Sequence, residues 1–143
     1  MPKETGNEYR LILICIDSYE DYILEGRYYN ASRPGGVYFH STAELILSIE
    51  QLLNQIEFPQ AFYRIRSFVD KEFVFEENIP VRDWSNRGLL GTFQLKVLFR
   101  QNVSWQGTIR WIEDKKEQSF RSVLELISLL DSALRERQEK KEA

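Results

Sequence analysis

The chain contains one cysteine, Cys15, and one histidine, His40. A single cysteine excludes an intramolecular disulfide, and one cysteine with one histidine is too few ligands for an ordinary zinc site. No apolar run approaches the roughly 20 residues needed to span a bilayer. The N-terminal stretch MPKETGNEYR is polar and lacks the apolar core of a secretion signal, so the expectation is a cytoplasmic chain. Gly35-Gly36 lacks the Lys-Ser/Thr that follows a phosphate-binding glycine loop, and Asp17-Ser18-Tyr19-Glu20-Asp21 lacks the spacing and glycine of a calcium loop. No cofactor or metal is expected. His40 sits between Phe39 and Ser41 at a helix start, where an imidazole is poorly placed to form a Ser–His pair. Cys15 lies within an apolar run, where a thiol packs and its pKa rises.

What is present suffices for a core. Of 143 residues, 43% are hydrophobic and 13% aromatic, enough for one compact domain without disulfides or metals. The net charge is −3 and unevenly spread. Residues 1–60 hold 4 basic and 9 acidic side chains, whereas 61–143 hold 15 and 13. Such fields govern association more than fold. Asn30-Ala31-Ser32 and Asn102-Val103-Ser104 match the glycosylation sequon but read as turns in a chain without a secretion signal.

One phrase recurs. FHSTAELI (39–46) returns 81 positions later as FRSVLELI (120–127), and at the same offset Gly26 meets Gly107 and Leu53 meets Leu134. The pattern is that of an internal duplication. Each phrase carries Ser-x-x-Glu before an apolar run, a capping box. Ser41 with Glu44 starts one helix and Ser122 with Glu125 the other. The first helix is expected at about 42–55, ended by Phe58-Pro59, and the second at about 123–135, with a frayed charged tail. Leu124 and Leu129 widen the second helix's apolar stripe beyond what one sheet face requires, which suits a sister helix or a second copy of the chain.

Strand patterns precede each helix. TFQLKVLFR (92–100) alternates strictly, with Phe93, Leu95, Val97 and Phe99 on one face and Gln94, Lys96 and Arg100 on the other. SWQGTIRWIE (104–113) places Trp105, Ile109 and Trp111 on the apolar side, and 118–120 adds a short strand. In the first half RLILICI, YILEGRYY and GGVYF make the equivalent set, and RLILICI, apolar on both faces, reads as a strand covered twice. Gly26 and Gly107 fall mid-strand, where glycine marks a bulge or close packing. Between the units, FYRIRSFV and EFVFEE read as strands and IPVRDWSNRGLLG as a loop. The expected fold is α+β: a β-hairpin-(short strand)-helix unit occurring twice (1–60 and 91–143), joined by a hairpin or loop at 61–90. Together they form one compact domain, with an antiparallel sheet and helices packed on one face.

The motifs SWQGTIRWIEDKKEQSFRSVLELISLLDSAL, ICIDSYED, EGRYYN and FHSTAELI resemble a family of small uncharacterised proteins of Gram-positive anaerobic bacteria that carry a WQG…FRSVLELI-type module. The likeness covers most of the chain. It implies a bacterial cytosolic protein and carries no assigned activity or functional residue.

Lacking the usual acid, base and nucleophile sets, the sequence points to a non-enzymatic protein acting through contacts. Asp17, Glu20, Asp21 and Glu25, set among Tyr19, Tyr22, Tyr28 and Tyr29, form an acidic, Tyr-rich hairpin suited to a basic protein surface, with a homodimer through the wide helix stripe as a further partner. The alternative is a nucleic-acid-associated regulator with Lys96, Arg100 and Arg110 on one polar sheet face. Its tryptophans fall on the opposite face and the pI is about 5.3, both unfavourable for stacking and phosphate binding.

Overall fold

The computed structural model describes residues 7–69, 76–81 and 84–142. The fold is α+β. A short helix, α1 (Asn7–Arg10), leads into β1 (Leu11–Glu20), β2 (Ile23–Asn30), β3 (Gly35–Phe39) and α2 (Thr42–Ile56). After β4 (Glu76–Val81) come β5 (Gly91–Phe99), β6 (Gln106–Trp111), β7 (Lys116–Phe120) and α3 (Val123–Glu142). The strands form one antiparallel sheet of seven, ordered β4-β3-β2-β1-β5-β6-β7. Side chains from one sheet face, among them Ile12, Ile14, Tyr28, Phe39, Phe93, Leu95 and Phe120, share a single core with Leu45, Ile49, Leu53, Leu126, Leu130 and Leu134 of the two helices.

The same pairings recur at an offset of 81. Gly26 pairs with Phe39 and Gly107 with Phe120. Ile14 pairs with Tyr28, and Leu95 with Ile109. The bulge between Ile16 and Ser18 recurs between Val97 and Phe99. Both hairpins turn through two left-handed residues, Asp21-Tyr22 and Asn102-Val103, the backbone that matches a two-residue hairpin to the twist of its strands. The two units join through β1 and β5, whose antiparallel pairs include Leu13 opposite Gln94, themselves 81 apart.

Helices α2 and α3 start at the serines the sequence marks, but each glutamate bonds the N–H of the residue before the cap rather than the cap's own. Ser41 Oγ accepts from Glu44 N–H at 3.0 Å, and Glu44 accepts from His40 N–H at 3.0 Å. In α3, Ser122 Oγ accepts from Glu125 N–H at 3.1 Å, and Glu125 accepts from Arg121 N–H at 2.7 Å. The Arg121 guanidinium and backbone N–H hold the Glu125 carboxyl down at about 2. Residues 12–16 of β1 are all buried, as expected for a strand covered twice. On the face away from the helices, Leu13, Cys15 and Tyr29 form a small second cluster with half-buried Ile112. The loop before β5 presses onto that face. A Cβ on Gly88 would lie 2.4 Å from both the N and O of Ile16, so only glycine lets the loop lie flat against β1.

Several local readings differ from the structure. Phe99 is 58% exposed and Arg100 is 2% exposed, the reverse of the expected faces. The bulge at Val97/Phe99 inserts one residue and flips the alternation beyond it. FYRIRSFV is not a strand: residues 62–69 run as bends and coil, and the adjacent Ala61 makes one isolated bridge to Arg100. Most of EFVFEE lies outside the described residues. Residues 79–81, read as loop, belong to β4 at the sheet's edge, where Pro80 is tolerated. Helix α3 runs past Arg135 to Glu142. Arg137 Nε donates to Leu90 O at 3.1 Å and Gln138 Nε2 to Tyr19 O at 2.8 Å, tying the charged tail to the sheet. Leu124 is 77% exposed, so the outer part of the wide stripe is not packed within the chain.

Each bulge draws two backbones together over the mid-strand glycine opposite. A Cβ on Gly26 would lie 2.1 Å from Cys15 O, and one on Gly107 would lie 1.9 Å from Lys96 O. Neither obstacle is a flexible side chain. Gly107→Ala and Gly26→Ala are each expected to destabilise the fold by roughly 2–3 kcal/mol, whereas Gly91→Ala, whose nearest neighbours are side-chain atoms at 3.3 Å, is expected to cost clearly less. Urea unfolding of the three variants measures the difference.

Candidate recognition surfaces

The β1–β2 tip is built by its turn. Asp21 and Tyr22 have φ of 54° and 63°, in the left-handed region that bulky residues such as tyrosine seldom adopt, and together they close the two-residue turn between Glu20 and Ile23. Tyr22 is 67% and Ile23 50% exposed, and Glu20, Asp21 and Glu25 are exposed beside them. His40 Nδ1 lies 3.7 Å from a Glu25 oxygen. Of the residues read as a partner-binding group, the structure brings Glu20, Asp21, Tyr22 and Glu25 together at this tip. It takes the other three inward. Asp17, half-buried, accepts from Arg27 Nη1 with both carboxylate oxygens, at 3.0 and 2.9 Å, and from Leu89 N–H at 3.1 Å. Tyr28 is buried, its ring stacked near Phe39 with centroids 6.4 Å apart. Tyr19 is buried and donates to Asp131 of α3 at 2.7 Å. Ile23 and His40 were not part of the recognition group read from the sequence. Their signal was the two-residue turn, which pairs Ile23 with Glu20, and the β2–β3 register, which sets Glu25 beside the end of β3.

The basic face is smaller than expected. Lys96 pairs with Thr108, and Gln94 with Arg110, so Lys96 and Arg110 are diagonal neighbours on the face away from the helices. Arg100 is not with them. Past the bulge it turns under α2, where its Nη1 donates to Glu50 at 3.0 Å and Asn54 at 2.7 Å, and its Nε to Pro59 O at 2.7 Å. Trp105 Nε1 donates to the other Glu50 oxygen at 2.7 Å. Trp105 and Trp111 are buried on the helix side. Tyr63, beside this cluster, has its pKa raised, first by burial.

The Arg100–Glu50 and Tyr19–Asp131 contacts are counterparts. Arg100 stands 81 positions after Tyr19, and Asp131 stands 81 after Glu50. In each contact the far end of one unit's first strand reaches across to the helix of the other unit. The chemistry is tethering: an ion pair with full hydrogen bonding on one side, a neutral phenol on a carboxylate on the other. Burial first, and then the bond to Asp131, pushes Tyr19 up to about 12. Burial does the same for Tyr28, and it pushes the Cys15 thiol to about 11.

A third feature lies between α3 and the β6–β7 hairpin. A cleft of about 210 Å³ is walled by Phe93, Ile109, Trp111, Leu129 and Ala133, with Lys116, Gln118, Ser132 and Glu136 completing its lining. The Lys116 ammonium lies 5.9 Å from the Trp111 ring centroid and 2.9 Å from Asp114.

Among the described residues no group of three or more His, Cys, Asp or Glu side chains is placed to hold a metal, and no helix is long and apolar enough to cross a membrane. Comparison with protein-family models, curated proteins and solved structures gives no match.

Two expectations follow from the tethers. Arg100→Met leaves Glu50 charged and buried, and is expected to destabilise the fold by roughly 3–5 kcal/mol. Glu50→Gln added to it keeps an acceptor for Trp105 and is expected to recover part of that loss in a urea titration. Tyr19 and Tyr28, with folded pKa values near 12 against an ordinary 10, contribute stability in their neutral form. That stability is fully present below pH 10 and lost as pH rises through about 12. An ultraviolet tyrosinate titration is expected to show these two phenols ionising last, together with unfolding, and the late step is expected to shrink in Tyr19→Phe.

Proposed function

We propose that this chain is a non-enzymatic protein-binding module whose β1–β2 tip recognises a basic surface on a partner protein. The observation that carries the reading is the exposure of Tyr22 and Ile23 at a turn flanked by three exposed acidic residues, Glu20, Asp21 and Glu25. An apolar centre with a charged rim is the usual build of a small recognition patch, and the excess of acidic residues in 1–60 lends it long-range attraction for a cationic partner. The reading includes a cytosolic setting, supported by the single free cysteine, buried in β1. It also includes an origin by internal duplication, supported by the recurring registers, bulges and turns. Kinship with the small proteins of Gram-positive anaerobic bacteria rests on the shared motifs.

A second reading, regulation through nucleic acid, is favoured by Lys96 and Arg110 lying as diagonal neighbours on the same sheet face. Self-association through Leu124 of α3 is a third arrangement of the same non-enzymatic kind.

The decisive comparison uses the full chain and a Glu20→Arg/Asp21→Arg/Glu25→Arg variant as baits in bacterial lysate with and without nuclease treatment, with matched thermal melts to show that both are folded. A stoichiometric protein partner is expected on the first bait and absent from the second. Equal capture by both, or capture that disappears with nuclease in both, overturns the tip reading, and the latter outcome promotes the Lys96–Arg110 face.

A further inference from the structure

The two units match strand for strand except at their outer edges. β3 and β7 are counterparts: Tyr28 pairs with Val37 as Ile109 pairs with Gln118. The outer edge of β3 is covered by β4, which runs antiparallel to it with Val37 opposite Glu77 and Tyr38 opposite Glu76. Among the described residues β7 has no such neighbour, and it ends the sheet. Four of its five residues are exposed. An edge strand presents unpaired N–H and C=O groups in a row, and the ligand that satisfies such a row is another strand.

The cleft between α3 and the β6–β7 hairpin opens beside this edge, since Lys116 and Gln118 of β7 belong to its lining. At about 210 Å³ it is smaller than the roughly 300–1,000 Å³ of small-molecule sites, and its deeper wall of Phe93, Ile109, Trp111 and Leu129 is apolar. It has the dimensions of a seat for one large apolar side chain. The rim carries one charge of each sign, Lys116 and Glu136, which gives no preference for a charged occupant.

A second copy of this chain fits poorly. The β7 residues on the helix side are Lys116, Gln118 and Phe120, and Phe120 is already committed to its own core. Two β7 edges paired together would leave both clefts empty, and a β4 edge against a β7 edge would be head-to-tail and would not close. The charges of Lys116 and Glu117 also discourage indiscriminate edge pairing.

We infer that β7 and the adjacent cleft form a docking site for an extended segment of a partner protein. The segment adds antiparallel to β7 as an eighth strand and seats one large uncharged apolar side chain between α3 and β6. This surface is separate from the β1–β2 tip, and the inference does not depend on the reading given to that tip.

The test pans a random twelve-residue peptide phage library on the full chain and measures the selected synthetic peptides by fluorescence anisotropy. Selected peptides are expected to alternate and to share one large apolar residue. Their binding is expected to perturb the amide resonances of 115–120 and the Trp111 indole resonance. Ser132→Trp places a bulky ring at the mouth of the cleft from an exposed position on α3 and is expected to weaken binding at least tenfold. The Glu20→Arg/Asp21→Arg/Glu25→Arg variant is expected to leave binding unchanged, which separates failure of this site from failure of the tip. The proposal is overturned if no peptide is enriched, if peptides bind Ser132→Trp as tightly, if the perturbed resonances lie away from β7, or if sedimentation shows a stable homodimer that buries the β7 edge.

Discussion

Everything else in this molecule hangs on the pairing of β1 with β5. Each unit has its own hairpin, outer strand and helix, but neither three-stranded piece closes a core alone. The join brings six pairs of residues into register, from Leu11 with Lys96 to Ile16 with Gly91, and lays the two helices over one continuous apolar face. The crossed contacts, Arg100 to Glu50 and Tyr19 to Asp131, then stitch each strand end to the opposite helix. A buried ion pair seldom adds net stability over well-packed apolar groups, yet it penalises misalignment heavily. Its physical role here is to make one relative placement of the two units much better than its neighbours.

The same economy explains why the tyrosines are divided as they are. Tyr19, Tyr28 and Tyr29 place their rings in the two hydrophobic clusters. The Tyr19 hydroxyl bonds Asp131 and that of Tyr29 bonds Arg27, whereas the Tyr28 hydroxyl is buried without a hydrogen-bond partner among the described residues. Tyr29 accepts from Arg27 Nε at 3.0 Å in the network that also holds Asp17. Only Tyr22, carried outward by the left-handed turn, is left for solvent or a partner. A cluster of aromatic and acidic residues in sequence therefore resolves into a scaffold and a much smaller exposed tip.

How far the sequence could be read depended on the range of the interaction concerned. Ser41–Glu44 and Ser122–Glu125 are local contacts, and both helix starts were legible to the residue. The alternation of 92–97 was legible for the same reason. Phe99 and Arg100 were not, because a bulge is a property of two strands and reverses every face beyond it. The extension of α3 to Glu142 was hidden because its anchors, Leu90 and Tyr19, lie 47 and 119 positions away. For the candidate surfaces, charge and composition pointed to the right hairpin but could not separate exposed Glu20 and Tyr22 from committed Asp17 and Tyr28. The free edge of β7 and its cleft had no sequence signal, since they arise from what β4 covers on one side and leaves bare on the other.

The turn at Asn102-Val103 has a bearing on how the chain acquires this structure. Its left-handed backbone suits Asn102, but Val103 is β-branched and exposed at φ 54°. Such a turn is a weak initiator of its hairpin. The first unit's turn at Asp21-Tyr22 has the same backbone, but Tyr22 packs edge-on against Tyr19 with ring centroids 5.9 Å apart. Hairpin closure takes microseconds when the turn helps, and joining β1 to β5 must close a loop of roughly 80 residues. The order of events is thereby biased. The β1–β2 turn is the better placed of the two to close before β1 and β5 meet.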